Sequence, residues 1–530
     1  MLEAWTGAQI RAAEQPWLDA GEGDALMRRA AHGLAGTALA LLDSRNRPRY
    51  GARVVAVAGS GNNGGDALWA AALLARRGLK PSAILTAGRA HEAGLAALRV
   101  AGGTVVRLAD EDSSSTDGDA AARRLLADAD LVIDGILGTG GSGGLREPAA
   151  GLAAHLEDLR RDGTVAVLAC DIPSGVDADT GEAEAAHVTA DATATFGGAK
   201  SGHLAGVGET ASGALTVVPI GIEDALPEPD VRRLQPADLR ALWPTPARSA
   251  QKYSRGVLGV IAGSPQYPGA ALLTTAAAAA AGVGMVRYLG PSSVGTLINA
   301  RTPDAVCSEQ QPGDVHVQAW LAGPGTNDDD GQLDRVRAAL AAAVADGTPA
   351  VVDAGGMSVL PDAGAAHLVL TPHAGELARL LTDRLAASGE QVERADVEAR
   401  PLHHARLAAR ITGCTVLLKG ATTLVAGPDG AVFSQADATP WLSTAGSGDV
   451  LAGILGAVLA GVAEHPEPAE RLGLGGDTRW AAAAAVAAAI HGRAGRLAAH
   501  DPAGTGAGGP LHATAVIDAT APAVRAVLAG

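Results

Sequence analysis

The sequence predicts an α/β protein of two domains. Its 530 residues are more than one ordinary hydrophobic core holds. In both halves, short apolar runs alternate with longer stretches of helix-forming residues, a pattern typical of a parallel sheet covered by helices. Between the halves, Gly221–Asp238 holds Pro227, Pro229 and Pro236 among charged residues. We expect one domain at residues 1–222, a linker at 223–235 and a second domain at 236–530.

The first half opens its α/β pattern with Arg53–Ala58, an apolar run that ends at a glycine and predicts a buried strand. Helix-forming residues follow at Ala67–Arg77. Further strands are expected at Ser82–Ala87, Leu131–Ile133 and Val165–Ala169, and an exposed loop is expected at Asp110–Asp119.

The second half repeats this alternation without repeating any motif of the first. Strands are expected at Val257–Ala262, Val283–Leu289, Ala319–Ala322, Pro349–Asp353, His367–Leu370 and Thr415–Leu418. Helices are expected at Ala270–Ala281, Val450–Val462 and Trp480–Ala499, with an exposed loop at Pro502–Pro510.

Composition narrows the class of protein. Hydrophobic residues make up 47% of the chain, but most are alanine and only two are phenylalanine, which favours close packing of helices on alanine faces. The net charge of −16 disfavours a nucleic-acid partner, because no basic surface is present to neutralise a phosphate backbone. It leaves a dinucleotide open as a ligand, since helix N-termini and loop amides bind phosphate without lysine.

The chain is expected to be cytoplasmic. Its three cysteines are widely spaced without a CxxC pattern, which indicates a reduced protein. The N-terminus has no basic segment followed by an apolar one, so no signal peptide is predicted. The uncharged segment Val257–Val286 contains proline, glycine and threonine, and we interpret it as a strand, a loop and a helix rather than a membrane span.

The first functional motif is Gly59-Ser60-Gly61-Asn62-Asn63-Gly64-Gly65-Asp66, placed between a predicted strand and a predicted helix. Glycines in this context allow a tight turn and a close approach of the backbone to phosphate. The acidic residue that nicotinamide dehydrogenases carry about 20 positions further on is missing from Leu85–Arg89, which disfavours an ordinary dehydrogenase. The asparagines and Asp66 add amides and a carboxylate to the turn.

Two more polar turns, Asp134–Gly140 and Asp171–Asp177, follow the next two strands of this half. The carboxyl ends of parallel strands meet at one edge of a sheet, where α/β folds bind ligands. There the oxygens of Asn63, Asp134 and Ser174 would suit an alkali or alkaline-earth cation better than zinc. Asp171 is a candidate general acid or base, and the alternative interpretation is that it caps a helix.

The motifs GSGNNGGD, DGILGTG and DIPSGVD, with the later FGGAKSG, resemble those of the NAD(P)H-hydrate epimerase family, the YjeF N-terminal domain, over about residues 1–222. The resemblance implies a Rossmann-like three-layer αβα fold, a potassium ion held by Asn63, Asp134 and Ser174, and a substrate contact at Asp171. The other substrate contacts it implies are Asn62, Asn63, Gly64, Gly65, Asp66, Gly138, Thr139, Gly140, Gly141, Ser142, Gly143 and Gly144.

The second functional motif pairs Lys419–Thr423, after a predicted strand, with Gly446-Ser447-Gly448-Asp449, before an apolar helix. Backbone amides at the start of that helix would form an anion hole strengthened by the helix dipole. Asp449 could take a proton from a substrate hydroxyl as a phosphoryl group arrives, or it could be a plain first-turn residue. No P-loop motif is present, so a P-loop nucleoside triphosphatase is not predicted.

This pairing resembles the ribokinase-like superfamily. Further motifs, YPGA, GPGT and TPHAGE, are similar to those of the ADP-dependent NAD(P)H-hydrate dehydratase family, the YjeF C-terminal domain, over about residues 236–528. The resemblance implies substrate contacts at Ala270, Gly325, His373 and Asp449. It places the nucleotide contacts on Lys419, Gly420, Ala421, Thr422, Thr423 and Gly448.

Together the two resemblances imply a bifunctional enzyme that repairs nicotinamide cofactors hydrated at C6 of the reduced ring. The first domain would interconvert the R and S epimers of NADHX and NADPHX with K⁺, and the second would dehydrate the S form with ADP and Mg²⁺. A homo-oligomer without membrane or nucleic-acid partners is expected. Two alternatives stay open, a small-molecule kinase built on the second domain and a non-catalytic binding role for the first.

Overall fold

A computed structural model of the chain describes residues 1–108, 117–141, 143–326 and 329–530. The chain divides into two compact units, Glu3–Val231 and Arg232–Gly530, the latter together with Met1 and Leu2. The division falls inside the segment 223–235 that was predicted as the linker. This segment also contains a short strand, Val231–Arg233.

The first unit alternates strands and helices from its first residues. Its strands are β1 (Leu2–Trp5), β2 (Arg53–Ala58), β3 (Lys80–Leu85), β4 (Thr104–Arg107), β5 (Leu131–Gly135), β6 (Ala166–Cys170), β7 (Ala192–Phe196), β8 (Ala199–Lys200) and β9 (Ala214–Val218). Its helices are α1 (Gly7–Asp19), α2 (Gly23–Ser44), α3 (Asn62–Ala75), α4 (Glu92–Val100), α5 (Asp117–Ala127), α6 (Ala149–Arg161) and α7 (Gly206–Ala211).

Seven of these strands form a parallel sheet in the order β4-β3-β2-β5-β6-β7-β9. The first strand of this sheet, β2, lies near its middle. The chain then adds β3 and β4 on one side of β2 and continues with β5 on the other side. The reversal of direction between β2 and β5 opens a crevice at the carboxyl ends of these two strands, which is where ligands bind in such sheets.

Both faces of this sheet are covered. Along β2, Val54, Ala56 and Ala58 pack into one apolar cluster with α2, α3 and α4, whereas Val55 and Val57 pack into another with α5 and α6. This alternation follows from the period of two along a strand. The predicted three-layer αβα architecture of Rossmann-like type is therefore confirmed.

The second unit is also of α/β type. Its strands are β10 (Val231–Arg233), β11 (Val257–Ile261), β12 (Met285–Leu289), β13 (Val306–Ser308), β14 (Ala319–Ala322), β15 (Ala350–Val352), β16 (Leu368–Leu370), β17 (Thr415–Leu418), β18 (Thr423–Ala426) and β19 (Val432–Gln435). Its helices are α8 (Pro236–Leu242), α9 (Pro268–Ala280), α10 (Ser292–Arg301), α11 (Asp330–Asp346), α12 (Ala374–Arg384), α13 (Arg394–Ala399), α14 (Pro401–Thr412), α15 (Ser447–Glu464), α16 (Glu467–Arg471), α17 (Thr478–Ala498) and α18 (Ala513–Ala529).

The strands of the second unit lie in the order β13-β12-β11-β14-β15-β16-β17-β18-β19-β10. Those from β13 to β17 are parallel, and β18 turns back as a hairpin against β17. The direction of the chain again reverses beside the first strand of the sheet, between β11 and β14. The ends of β11, β14, β15, β16 and β17 consequently meet at one edge.

Alanine-rich helices form the core of this unit, as the composition predicts. Helices α9 and α15 approach so closely that a Cβ at Gly453 would lie 2.4 Å from the carbonyl oxygen of Thr274. In the described part of the chain one helix, α15, is long and apolar enough to cross a membrane, and 78% of it is buried inside the protein. The uncharged segment Val257–Val286 contains a strand, a loop and a helix, as predicted.

Several predicted boundaries are wrong: strand β3 covers Lys80–Leu85 rather than Ser82–Ala87, and two helices start earlier than predicted. Helix α3 begins at Asn62 rather than Ala67, and α15 begins at Ser447 rather than Val450. Both motifs therefore contribute the first turn of a helix, although their glycine and asparagine content predicted loops. Within the predicted loop Asp110–Asp119, residues 110–116 lie outside the described residues, and a helix begins at Asp117.

Candidate active sites

Two glycines of the first motif are needed because β2, α3 and the turn after β5 pack without space for side chains. The amide of Gly59 donates to the carbonyl of Gly135 over 3.0 Å. A Cβ at Gly59 would lie 2.0 Å from the carbonyl oxygen of Ile136, and one at Gly64 would lie 2.3 Å from that of Gly59. A Cβ at Gly61 would meet nothing within 4 Å, so the space beside this residue is open.

The predicted cation ligands converge on the carbonyl oxygen of Leu137, which follows β5. The side-chain amide of Asn63 donates to this carbonyl over 2.8 Å, and the hydroxyl of Ser174 lies 3.1 Å from it. The same hydroxyl lies 2.6 Å from Asp134 Oδ1. Three turns that are distant in sequence thus place an amide, a hydroxyl, a carboxylate and a backbone carbonyl together.

Asp134 is fully buried, and its partners in this cluster are neutral: the hydroxyl and amide of Ser174 and the amide of Ile136. Burial raises the pKa of its carboxyl to about 6, against the opposing effect of these hydrogen bonds. No group of three or more His, Cys, Asp or Glu side chains able to hold a metal occurs within the described ranges. The arrangement suits a cation bound by mixed neutral and carboxylate oxygens rather than a transition metal.

Asp171 follows β6 in the left-handed region, with φ 67°, and is buried. No helix begins at this residue, so the interpretation of Asp171 as a helix cap is wrong. Its carboxylate forms an ion pair with Lys200 and accepts a hydrogen bond of 3.0 Å from Thr195. Burial disfavours its ionised form, but the charge and hydrogen bond of Lys200, with smaller contributions from His203 and Thr195, together hold the pKa of Asp171 below its usual range.

Lys200, the partner of Asp171, was not predicted as a functional residue. Its side chain is 1% exposed, and its ammonium donates to Asp171, to the hydroxyl of Thr195 over 2.9 Å and to the carbonyl of Phe196 over 3.2 Å. His203 lies beside it and contacts the backbone carbonyl of Asp171 through Nε2 over 2.9 Å. Lys200 belongs to FGGAKSG, and His203 follows that motif directly. Nothing in the sequence around them indicates that they contact Asp171.

A cleft of about 120 Å³ lies beside the glycine turn after β5. Four of the predicted substrate contacts, Gly138, Gly141, Gly143 and Gly144, line it together with Gly175, Val176, Asp177 and other residues of the turn after β6. The NNGGD segment and Asp171 are not among its lining residues. Ser142 lies outside the described residues.

In the second unit, the predicted substrate residues Ala270 and Gly325 are brought into contact. A Cβ on Gly325 would lie 2.8 Å from that of Ala270, and Gly325 has φ 67°. The first residue lies in the first turn of α9, after β11, and the second lies in the turn after β14. The two strands are neighbours in the sheet, so this contact lies at the point where the strand order reverses.

His373 and Lys419 follow the neighbouring strands β16 and β17 and are joined by a parallel bridge. His373 caps α12, since its Nδ1 accepts from the amides of Gly375 and Glu376 over 3.0 and 3.3 Å. Its side chain is 55% exposed. Its Nε2 lies 3.6 Å from Glu376 Oε2 and is otherwise open to a ligand. The cap fixes the orientation of the ring at the edge of the sheet.

Lys419 lies among carboxylates. Its Nζ is 3.1 Å from Asp353 Oδ1 and 3.7 Å from Glu376 Oε2, and Asp353 also accepts from Thr371 over 2.7 Å. Burial alone would lower the pKa of the lysine, but Asp353 and Glu376 outweigh it and keep the ammonium charged. Asp353 and Glu376 were not predicted as functional residues. Glu376 belongs to TPHAGE, whereas nothing near Asp353 in the sequence distinguishes it.

The GSGD motif starts α15. Gly446 precedes the helix with φ 83°, and a Cβ there would lie 2.6 Å from Leu273, so this position requires glycine. The amides of Gly448 and Asp449 lie in the first turn, where backbone donors have no partner within the helix. A Cβ on Gly448 would lie 3.5 Å from Lys419 Nζ, which places the ammonium beside these amides.

Asp449 shares this environment. Burial and then the neighbouring Asp353 raise the pKa of its carboxyl to about 6, against the opposing charge of Lys419. His491 is buried and lies 3.2 Å from the Ser447 hydroxyl at the helix start. The remaining nucleotide-site residues, Gly420, Ala421, Thr422 and Thr423, follow Lys419 in the turn between β17 and β18.

Each unit thus carries a carboxylate beside a lysine at the carboxyl edge of a parallel sheet, which defines the class of a two-site α/β enzyme. Residues 23–202 match the YjeF-related protein N-terminus family, and residues 258–514 match the NAD(P)H-hydrate dehydratase family. The chain is 42% identical over 463 residues to the bifunctional NAD(P)H-hydrate repair enzyme of Mycobacterium tuberculosis, covering 85% of this chain and 88% of that protein.

The corresponding enzyme of Mycobacterium leprae is 40% identical over 515 residues, covering 95% of each chain. The chain belongs to the family of bifunctional NAD(P)H-hydrate repair enzymes. Among solved structures, the ADP/ATP-dependent NAD(P)H-hydrate dehydratase of Bacillus subtilis, co-crystallized with ATP and Mg²⁺, covers 56% of this chain and 99% of its own, with 23% identity and a TM-score of 0.45.

Replacing Lys200 by methionine should destabilise the first unit, because Asp171 would keep a buried charge without a partner. The expected cost is about 3–5 kcal/mol. Hydrogen exchange of the β6 and β7 amides in the full-length chain would measure it. The double variant Lys200→Met/Asp171→Asn should recover most of the protection, and unchanged exchange in Lys200→Met alone would contradict the pairing.

Proposed function

We propose that the first unit epimerises R- and S-NAD(P)HX and that the second dehydrates S-NAD(P)HX with ADP, giving NAD(P)H, AMP and phosphate. The observation that carries this proposal is the pair of separate carboxylate–lysine sites, Asp171 with Lys200 and Asp449 with Lys419, in a chain of the repair-enzyme family. The first domain is assigned to residues 1–222 and the second to residues 236–530.

In the epimerase site, Asp171 is proposed as the general base. Its ion pair with Lys200 keeps the carboxylate ionised at neutral pH and ready to accept the proton of the C6 hydroxyl. The open space at Gly61 and the cleft at Gly138–Gly144 are proposed to take the dinucleotide, with Asn62 to Asp66 at the start of α3.

Potassium is proposed to bind at Asn63, Asp134 and Ser174. The donor set fits this ion, because Asp134 is a buried carboxylate whose partners in the cluster are neutral, and a cation would supply the missing charge. When bound, K⁺ would add positive charge beside the substrate site and fix the relative positions of the three turns.

In the dehydratase site, Asp449 is proposed to take the proton of the C6 hydroxyl as that oxygen attacks the terminal phosphorus of ADP. The bond from this phosphorus to the bridging oxygen breaks, and AMP leaves. Lys419 and the amides of Gly448 and Asp449 lie where they would stabilise the phosphoryl oxygens. Ala270, Gly325 and His373 are proposed to hold the substrate, and Lys419 to Thr423 the nucleotide.

The phosphate ester formed in this way contains a good leaving group in place of hydroxide. The lone pair on N1 expels phosphate, and loss of a proton from C5 to the departing phosphate restores the dihydronicotinamide ring. Mg²⁺, expected with ADP, needs one or two protein carboxylates beyond the nucleotide phosphates, and Glu376 at 3.7 Å from Lys419 Nζ offers one. The ion would neutralise phosphate charge.

A small-molecule kinase on the second unit is the other reading of GSGD, and nothing in the structure or in the comparisons favours it over repair. It predicts a stable phosphorylated alcohol when ATP and candidate alcohols are supplied. A homo-oligomer, a cytoplasmic location and the absence of nucleic-acid and membrane partners stay predictions from the sequence.

The central experiment supplies R,S-NADHX and ADP to the full-length chain and follows the absorbance of reduced nicotinamide. Wild type should convert the whole mixture faster than R-NADHX epimerises spontaneously. Asp449→Asn should convert almost none, since proton acceptance is lost. Asp171→Ala should convert the S half at the wild-type rate and the R half only at the spontaneous rate.

Each variant also contains a control for correct folding, because the unit without the substitution must keep its full activity. Near-wild-type dehydration by Asp449→Asn with intact ADP binding would remove the role of Asp449. Epimerisation at full rate by Asp171→Ala would show that another group is the base.

The dehydratase should lose activity on the acidic side. Asp449 must be ionised to accept a proton, and burial raises its pKa to about 6, so kcat/KM for S-NADHX should rise as pH passes upward through about 6. Asp449→Asn should reduce kcat/KM by about 100- to 10,000-fold and abolish this rise. The pH range to measure runs from about 5 to about 7, on the order of one unit on either side of that pKa. A flat wild-type profile over this range would contradict the assignment.

Replacing K⁺ by tetramethylammonium should slow epimerisation and leave dehydration of S-NADHX unchanged. K⁺ should also raise the melting temperature of the wild-type first unit, since a ligand bound to the native state at 100 times its Kd stabilises by about 2.7 kcal/mol. Asp134→Asn removes the buried charge and should abolish both effects. A K⁺ response that survives in this variant would place the ion elsewhere.

A further inference from the structure

Asp66 ends the NNGGD segment in α3 and carries an unsatisfied carboxyl. The residue is 8% exposed, and its Oδ1 is buried without a hydrogen-bond partner. Leaving a buried polar atom unpaired costs about 1–3 kcal/mol. Such a group in a native protein calls for an explanation, and a catalytic role is one of the recognised ones.

The charged and titratable groups around Asp66 come from three other parts of the first unit. Helix α1 supplies Glu14, and the end of β6 supplies Cys170 and Asp171, while Lys200 and His203, from β8 onward, act on Asp171. The cations of this cluster are Lys200, which acts on Asp171 and Glu14, and Arg11 of α1, which acts on Glu14. How the charge of Lys200 is shared therefore decides which carboxyl is ionised.

Lys200 cannot serve Asp66. An ammonium has three N–H donors, and all three are used by Asp171, Thr195 and Phe196. Asp171 is thereby held as a carboxylate, whereas burial, then the charge of Asp171 and then that of Glu14 raise the pKa of Asp66 well above its usual range. The ionised form of one carboxyl is favoured and the protonated form of its neighbour is favoured, which is how active sites separate a base from an acid.

We propose that Asp66 is the general acid of the epimerase reaction, an inference that rests on the epimerase function proposed for the first unit. The hydrated ring has a hydroxyl and N1 on the same carbon, C6. Asp171 accepts the hydroxyl proton, C6 becomes an aldehyde as the C6–N1 bond breaks, and Asp66 gives its proton to N1.

Rotation about the C5–C6 bond then presents the other face of the aldehyde to N1. The same proton transfers run in reverse: N1 attacks C6, returns its proton to Asp66, and the new hydroxyl takes the proton from Asp171. The ring closes with C6 inverted. Both residues recover their starting protonation, and no other reactant is consumed.

The other titratable neighbours fit this role less well. His203 accepts from the amide of Lys200 at Nδ1 over 2.9 Å and donates from Nε2 to Asp171, so both ring nitrogens are occupied. Cys170 donates its thiol to the carbonyl of Asn63 over 3.6 Å. Glu14 is only partly buried, and it differs from Asp66 in having no buried unpaired oxygen.

The test uses Asp66→Asn in the full-length chain with purified R-NADHX, and counts S-NADHX formed without ADP. The amide has the shape of a neutral carboxyl but no acidic proton, so kcat should fall by about 100-fold or more with KM within about threefold. The wild-type rate should decline at alkaline pH as Asp66 loses its proton, and this decline should vanish in the variant. Dehydration of S-NADHX with ADP should be unchanged and reports on the integrity of the chain.

Glu14→Gln is the matched control, because it removes the other carboxyl of this cluster whose pKa is raised and should keep the alkaline decline. The proposal is overturned if Asp66→Asn keeps its kcat, if the decline is lost in Glu14→Gln instead, or if wild type has no decline at all. The pH profile of the wild type tests the proposal even if Asp66→Asn does not fold. A wild-type chain that fails to epimerise R-NADHX would refute the function of the unit itself, independently of Asp66.

Discussion

Both sites depend on one constraint, the meeting of parallel strand ends at the edge of a sheet where the chain reverses direction. In the first unit this edge unites residues that are more than 100 positions apart, since Asn63 after β2 and Ser174 after β6 share the carbonyl of Leu137. In the second unit it brings His373 beside Lys419. Because the backbone groups at these ends are not used by the sheet, they are available to a ligand.

A second regularity is electrostatic. Each edge contains a lysine that is ion-paired with one carboxylate beside a second carboxyl: Lys200 pairs with Asp171 beside Asp66, and Lys419 pairs with Asp353 beside Asp449. One ammonium in a buried site fully compensates one carboxylate, so the next carboxyl has a raised pKa. The same arrangement therefore underlies the general acid proposed in the first unit and the general base proposed in the second.

Much of this could be predicted from the sequence, because strands and turn motifs are local signals. The strands β2, β14 and β17 begin and end where predicted, since short apolar runs bounded by turn residues leave little ambiguity. The starts of α3 and α15 were missed, because glycine and asparagine weaken helix propensity while packing against β5 and α9 imposes the helix. Lys200 and Asp353 were missed because their partners are far away in sequence.

The sequence alone determined the α/β class and the family and predicted the residues of the two sites, since these are carried by composition, periodicity and contiguous motifs. Only the tertiary structure decided which carboxyl each lysine neutralises. That choice depends on burial and on whether the ammonium has a donor to spare, which are properties of side chains from different strands meeting at one edge. The environments of Asp66 and Asp449 consequently differ for reasons that lie outside the two functional motifs themselves.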